Sequence, residues 1–249
     1  MKLEGKKAVI TGSASGFGKE TAMLFANEGA EIALLDINVK GAEDVSRIIN
    51  SSNSNKSKPI HVDVADEDSV YTAFRIAFDF LSHIDILINC AGFGRSAKIQ
   101  DLTLADWKNL IDVNMTGTFL CCREVIQNMI DRKYGKIVNL ASICAQTGRM
   151  VSVDYAGAKS GIVGITRALA LQVAVDGVNV NAIAPGPIAT PLFQKNYTPE
   201  QVKNLMKTIP FAREGTARDV ANLALFLSSD DSGWITGETI AINGGAFIG

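Results

Sequence analysis

What most constrains this 249-residue chain is an alternation of short apolar, β-branched runs with segments whose apolar residues recur at helical spacing. Residues 8–10, 32–35, 60–62, 84–88, 137–140 and 178–183 read as strands. Residues 20–27, 39–49 and 69–81, with the long amphipathic stretches 104–130 and 155–175, read as the helices between them. Strands linked by helical crossovers run parallel and are covered on both sides. The pattern therefore predicts an α/β, doubly wound parallel sheet of the Rossmann type, about seven strands with helices on both faces. With 47% hydrophobic and 20% charged residues, a single domain spanning 1–249 is expected. Residues 51–57, rich in Ser, Asn and Lys, form a solvated loop. Prolines between Pro185 and Pro210 surround a short helical piece starting near Pro199, which predicts a segment near 187–212 lying over the site.

Between the first strand and the first helix lies Thr11-Gly12-Ser13-Ala14-Ser15-Gly16-Phe17-Gly18. Glycines there permit a tight turn and let backbone approach a phosphate, while the helix N-terminus offers unpaired N–H groups and partial positive charge. Flanked by strand and helix, Gly12, Ser15, Gly16, Phe17 and Gly18 are candidates for holding a dinucleotide. Asp36 closes the second strand, where a carboxylate accepts both hydroxyls of an adenosine ribose. A 2′-phosphate about 4 Å from it would be repelled by up to ~4 kcal/mol per charge pair. The adjacent Ile37 and Ser15 bring no cation, so NAD is expected over NADP, although Lys19 and Lys40 are close in sequence. The plainer reading of Asp36 is an N-cap for the next helix.

Tyr155 and Lys159 stand four positions apart, one turn along a single helix face. A free phenol has a pKa near 10, too high for an efficient base at neutral pH, and a nearby cation lowers it by about 1 to 3 units. Ser142 follows the strand at 137–140, at the sheet edge where ligand-binding loops gather. Its hydroxyl can hold a reacting oxygen.

Taken in order, Thr11-Gly12, Gly16, Gly18, Asn89-Cys90-Ala91-Gly92, Asn114, Ser142, Tyr155, Lys159 and Pro185-Gly186 resemble the short-chain dehydrogenase/reductase family along nearly the whole chain. Its compact single-domain branch includes 3-oxoacyl-carrier-protein reductases and polyol or sugar dehydrogenases. The resemblance implies Tyr155 as acid/base, Ser142 as the group orienting the carbonyl, and Lys159 as the cation that lowers the tyrosine pKa and binds nicotinamide ribose. It implies Asn114 at a helix irregularity, holding a water that relays protons from the lysine. It also implies that Asp63 and Val64 meet the adenine, that Asn89, Ala91 and Gly92 line the nucleotide, and that Pro185, Gly186, Ile188 and Thr190 lie near the nicotinamide. Two departures stand out: Asn89-Cys90 replaces a pair of asparagines, and Asn243-Gly244-Gly245 replaces Asp-Gly-Gly. Neither removes a catalytic group. Residues 147–154 lack the Gly-Gln-x-Asn sequence common in carrier-protein reductases, enzymes that usually prefer NADPH, and Asp36 also argues against that branch.

The substrate is expected to meet Ser142, Cys144, Met150, Tyr155 and Gly186, in a mostly apolar lining with Phe93, Gly94 and residues 186–193. Gln146, Arg149 and Gln194 could read hydroxyl or carboxylate groups. A secondary alcohol or ketone, including a polyol, suits such a pocket. The alternatives are a 3-oxoacyl-thioester reductase and a catalytically silent NAD-binding sensor. No metal site is expected, because Cys90, Cys121, Cys122 and Cys144 lack ligand spacing and only His61 and His83 could join them. A net charge of −2 without a basic stripe argues against nucleic acid. No signal peptide and no run of membrane-spanning length are recognised, so the expectation is a cytoplasmic enzyme with no membrane partner. The excess apolar surface of the two long helices predicts an oligomer, and the resemblance implies a homotetramer.

Overall fold

In the computed structural model, which describes residues 1–52, 56–148, 151–188, 198–207 and 209–248, seven strands form one sheet in the order β3-β2-β1-β4-β5-β6-β7. They are β1 (Lys7–Thr11), β2 (Glu31–Asp36), β3 (Ser57–His61), β4 (Ile86–Asn89), β5 (Gly135–Leu140), β6 (Val178–Pro185) and β7 (Thr239–Ile242), and every pairing is parallel. The helices are α1 (Gly16–Asn27), α2 (Val39–Ser52), α3 (Glu67–Leu81), α4 (Leu104–Ile111), α5 (Gly117–Arg132), the short α6 (Cys144–Thr147), α7 (Val153–Val173), α8 (Pro199–Met206) and α9 (Ala217–Ser228).

Side chains alternate across each strand, so one sheet feeds two cores. Ala8, Ile10, Ile32, Leu34, Ile86 and Ile88 pack with α1, α2 and α9. Val9, Ala33, Leu35, Leu87 and Ile137 pack on the opposite face with α3, α5 and α7. Burial on both faces explains why the strands read as continuous apolar runs rather than as alternating ones. Local signals fix the helix starts. Asp66 caps α3 through Ser69 N–H, and capping boxes open α4 (Thr103 with Asp106), α8 (Thr198 with Gln201) and α9 (Thr216 with Asp219).

Three expectations change. The stretch 104–130 is not one helix: α4 gives way to a π-turn at Asp112–Thr116 before α5 begins. The structure adds β7 and α9, which the strand and helix pattern above does not include, although Thr216, Asp219 and the run Thr239-Ile240-Ala241-Ile242 carry the signals. Contrary to expectation, one segment, Val153–Asp176, is long and apolar enough to cross a bilayer by length and composition. Its buried residues Ala158, Ile162, Thr166, Ala170 and Val173 recur every three or four positions, the stripe of a helix laid along a sheet.

The chain winds outward from β1 to β3, then crosses back to β4, so the order reverses between β1 and β4. Loops after those two strands must diverge, which opens a crevice at their carboxyl ends. Glycine lets the loops approach. A Cβ on Gly12 (φ 66°) would stand 2.8 Å from Ala91 N, and one on Gly18 would overlap the Gly12 carbonyl oxygen. Gly18→Ala must therefore open the turn: the expected result is a lower melting temperature, read by scanning calorimetry. An unchanged melting temperature would show that the turn has slack.

Candidate active site

The crevice is a cavity of about 370 Å³. Of the expected cofactor residues, Gly12, Ser15, Gly16, Phe17, Gly18, Asp36, Ile37, Asp63, Val64, Ala91 and Gly92 line it. Val62, Cys90, Phe93 and Val113 line it too and were not singled out for the nucleotide from the sequence. Ser15, the N-cap of α1, makes no side-chain capping hydrogen bond, leaving that end of the helix open to an anionic ligand. Asp36 is held from two sides: Oδ2 accepts Ala14 N–H and Oδ1 accepts Asn38 N–H, each at 2.8 Å. The capping reading of Asp36 gives way, since Asn38 precedes α2 and accepts Gly41 N–H through Oδ1 at 3.2 Å. No lysine or arginine lines the described cavity.

Beyond Gly92 the crevice meets the ends of β4 and β5, and here the expected reacting groups assemble. Lys159 is buried, and its Nζ donates to Leu140 O at 2.7 Å and lies 5.7 Å from the Tyr155 ring centre. A Cβ on Gly92 would sit 3.6 Å from Lys159 Nζ and 2.6 Å from Asn114 Oδ1, so that glycine keeps the space between the two open. Gly94 backs onto the Tyr155 ring, where a Cβ would be 3.1 Å from Cε2. Ser142 is 7% exposed, and its Oγ accepts Cys144 N–H at 3.1 Å.

Asn114 sits in the π-turn, buried, with Nδ2 donating to Phe93 O (3.0 Å) and Leu110 O (3.1 Å). The wider turn frees a backbone carbonyl that the side chain then satisfies. Its Oδ1 is left buried without a protein partner. An acceptor of this kind beside a buried ammonium is where a bridging water fits. On α7, Gly161 leaves room for Met115 of the same turn.

Burial sets the charges. Desolvation pushes the Lys159 ammonium down to about 8 from its ordinary 10.5. Burial pushes the Cys90 thiol up to about 12 and raises Cys144 as well, so neither is disposed to form thiolate.

Some expected residues lie elsewhere. Asn89 does not reach the cavity; its buried Nδ2 donates to Asn139 Oδ1 at 2.9 Å and to Cys122 Sγ at 3.4 Å, clamping β4 to β5 and α5. Ile188 does not line this cavity; its side chain packs into the apolar core beneath α9. Pro185 ends β6, its carbonyl accepting Ile143 N–H, and Gly186 is required by Asn243, whose Cβ would be 2.6 Å from an added one. Met150 and Thr190, with Arg149 and Gln194, fall outside the described residues.

Known proteins resemble this chain over nearly its whole length. A family model described as Enoyl-(Acyl carrier protein) reductase matches residues 12–246. Subunit BbsD of (2S)-[(R)-hydroxy(phenyl)methyl]succinyl-CoA dehydrogenase from Thauera aromatica is 39% identical, over 98% of both chains. A 3-oxoacyl-[acyl-carrier-protein] reductase from Aquifex aeolicus is 36% identical over 99% of both. D-threitol dehydrogenase from Mycolicibacterium smegmatis is 36% identical, over 99% of this chain and 95% of its own.

The depressed lysine carries a stability consequence. Its folded value, about 8, lies below the ordinary 10.5. The cost of burying the charge, about 3 kcal/mol, is therefore complete below pH 8 and disappears as pH rises to 10.5. Lys159→Met removes that cost and strands the Leu140 carbonyl, worth about 1 kcal/mol. Urea titration of the ligand-free variant is expected to show unfolding free energy raised by about 1–2 kcal/mol at pH 7, with the gain fading above pH 9. A loss at pH 7 would mean that the ammonium is better solvated than its burial implies.

Proposed function

This chain belongs to the short-chain dehydrogenase/reductase family of oxidoreductases, and we propose that it transfers a hydride between NAD(H) and a secondary alcohol or ketone, of the polyol, sugar-alcohol or small hydroxy-compound class. The observation that carries this reading is the meeting of Tyr155, Lys159 and Asn114 where the glycine-lined crevice ends. The crevice fits a dinucleotide: Gly12 and Gly18 leave a cradle that side chains would fill, α1 presents its N-terminus, and Asp36 is fixed at the rim. When bound, the nicotinamide supplies or accepts the hydride.

The chain's own residues then manage one proton. In alcohol oxidation the Tyr155 oxygen takes the hydroxyl proton, and in ketone reduction it returns it. Lys159, charged at neutral pH, favours the phenolate. Ser142 Oγ donates to the substrate oxygen and holds it against the tyrosine. Asn114 Oδ1, unpartnered and near Lys159, anchors a water through which the proton reaches solvent. Cys144 and Gly186 form the substrate wall; Met150 is assigned to it from its place in the sequence near Ser142, and Thr190 to the nicotinamide from the family resemblance, both outside the described residues. Asp36, with no cation among the described lining residues, favours ribose hydroxyls and disfavours a 2′-phosphate.

A second reading, a 3-oxoacyl-thioester reductase, draws on the thioester names of two relatives. The polyol reading draws on a third. We further propose a homotetramer working in the cytoplasm. Leu171 and Val175 near the end of α7 are 83% and 87% exposed, and Trp234 is fully exposed, apolar surface suited to a partner subunit.

The test follows NADH absorbance across polyols, secondary alcohols, hydroxy acids and acetoacetyl thioesters. Turnover of one alcohol class is expected, with kcat/KM favouring NAD over NADP by about a hundredfold or more. Tyr155→Phe should lower kcat by about 10²–10⁴-fold. Asp36→Ala should bring the two cofactors within about tenfold of each other. Turnover confined to thioesters selects the second reading, and tight NAD binding with no turnover of anything selects the silent sensor.

A further inference from the structure

Resting on that reading of Tyr155, we infer that the ion pair of Arg95 with Asp154 is a positioning device that holds the Phe93–Arg95 loop against the tyrosine ring. Asp154 is completely buried at the start of α7, immediately before Tyr155. Its Oδ1 accepts Tyr155 N–H at 2.8 Å, and its Oδ2 lies 3.2 Å from Arg95 Nε. Neither Nε nor Oδ2 has an aligned hydrogen-bond partner, so the contact between them is one of charge.

Arg95 is also gripped from behind. Nη1 reaches Asp106 Oδ1 at 2.7 Å and Nη2 donates to Asp106 O, at the start of α4. Ser152 donates to Arg95 O through both N–H (3.3 Å) and Oγ (3.2 Å). At the other end of the loop, Phe93 O accepts Asn114 Nδ2. Between these two anchors sits Gly94, in contact distance of the ring.

A carboxylate at a helix start is ordinarily left in water, where the helix N-terminus suffices to hold it. Burying one needs a paired cation, and this pair spans from the loop after β4 to the helix that carries Tyr155 and Lys159. With two carboxylates on one guanidinium, Arg95 has no charge left for an anionic substrate. What it can do is fix the height of the tyrosine ring over Ser142 and Lys159.

Arg95→Gln and Gly94→Ala test this from two sides. The φ of Gly94 lies outside the left-handed region, so alanine strains the ring contact rather than the backbone. With the alcohol that the wild-type enzyme turns over best, both variants are expected to lose kcat by about ten- to hundredfold, with the alcohol KM and the NADH dissociation constant within about twofold. Arg95→Lys, which keeps the charge, should recover part of the loss. Full kcat in both variants overturns the proposal, as does a loss that appears in KM or NADH binding instead. Gly94→Ala decides alone if Arg95→Gln does not fold. A wild-type enzyme inactive on the whole panel sinks the oxidoreductase reading, and crystals then decide the clamp: a Tyr155 ring displaced in Gly94→Ala supports it, and an unmoved ring refutes it.

Discussion

A buried ammonium joins the two halves of the site. Lys159 reaches across from α7 to the Leu140 carbonyl at the end of β5, and that bond locks the helix bearing Tyr155 to the strand that leads into Ser142. An ammonium away from water gives up solvation and moves toward its neutral form, which is why its value falls to about 8. It nevertheless keeps its proton at neutral pH. In the proposed chemistry that retained charge is what makes a phenol usable as a base, so the least comfortable residue in the core is also the one the reaction needs.

The topology of the surrounding fold places these groups together, and a few buried contacts then fix them. All seven strands are parallel, so all their carboxyl ends lie along one edge, and the loops after β1, β4, β5 and β6 gather there. Reversal of winding between β1 and β4 opens the crevice, and glycines at its narrowest points keep it open. The π-turn between α4 and α5 turns Asn114 inward, leaving Oδ1 as an acceptor near Lys159. Asn89, Asn139 and Thr166 then tie β4, β5 and α7 together through buried hydrogen bonds, fixing strand ends and helix in one frame.

Much of this was legible in the residues because the signals are local. Strand runs, the glycine turn, Asp36 at the end of β2 and the four-residue spacing of Tyr155 and Lys159 need only a few neighbours to be read. What escaped depends on distant partners. Asn89 belongs to a residue fifty positions away rather than to the crevice beside it, and Ile188 answers to the core under α9. Arg95 and Asp154 are ordinary charged residues until the fold brings them together. α7 is apolar enough to pass for a membrane span because a helix on a parallel sheet needs little polar surface, and because its far end is left bare in a single chain.

Phenolate absorbance followed against pH, as the difference between the wild-type protein and Tyr155→Phe, tests most directly whether Lys159 tunes Tyr155. The account predicts ionisation of Tyr155 well below the value near 10 of a free phenol, moving back up when Lys159→Met removes the charge. Ionisation at or above 10 in the wild-type protein, or a midpoint indifferent to Lys159, would contradict it.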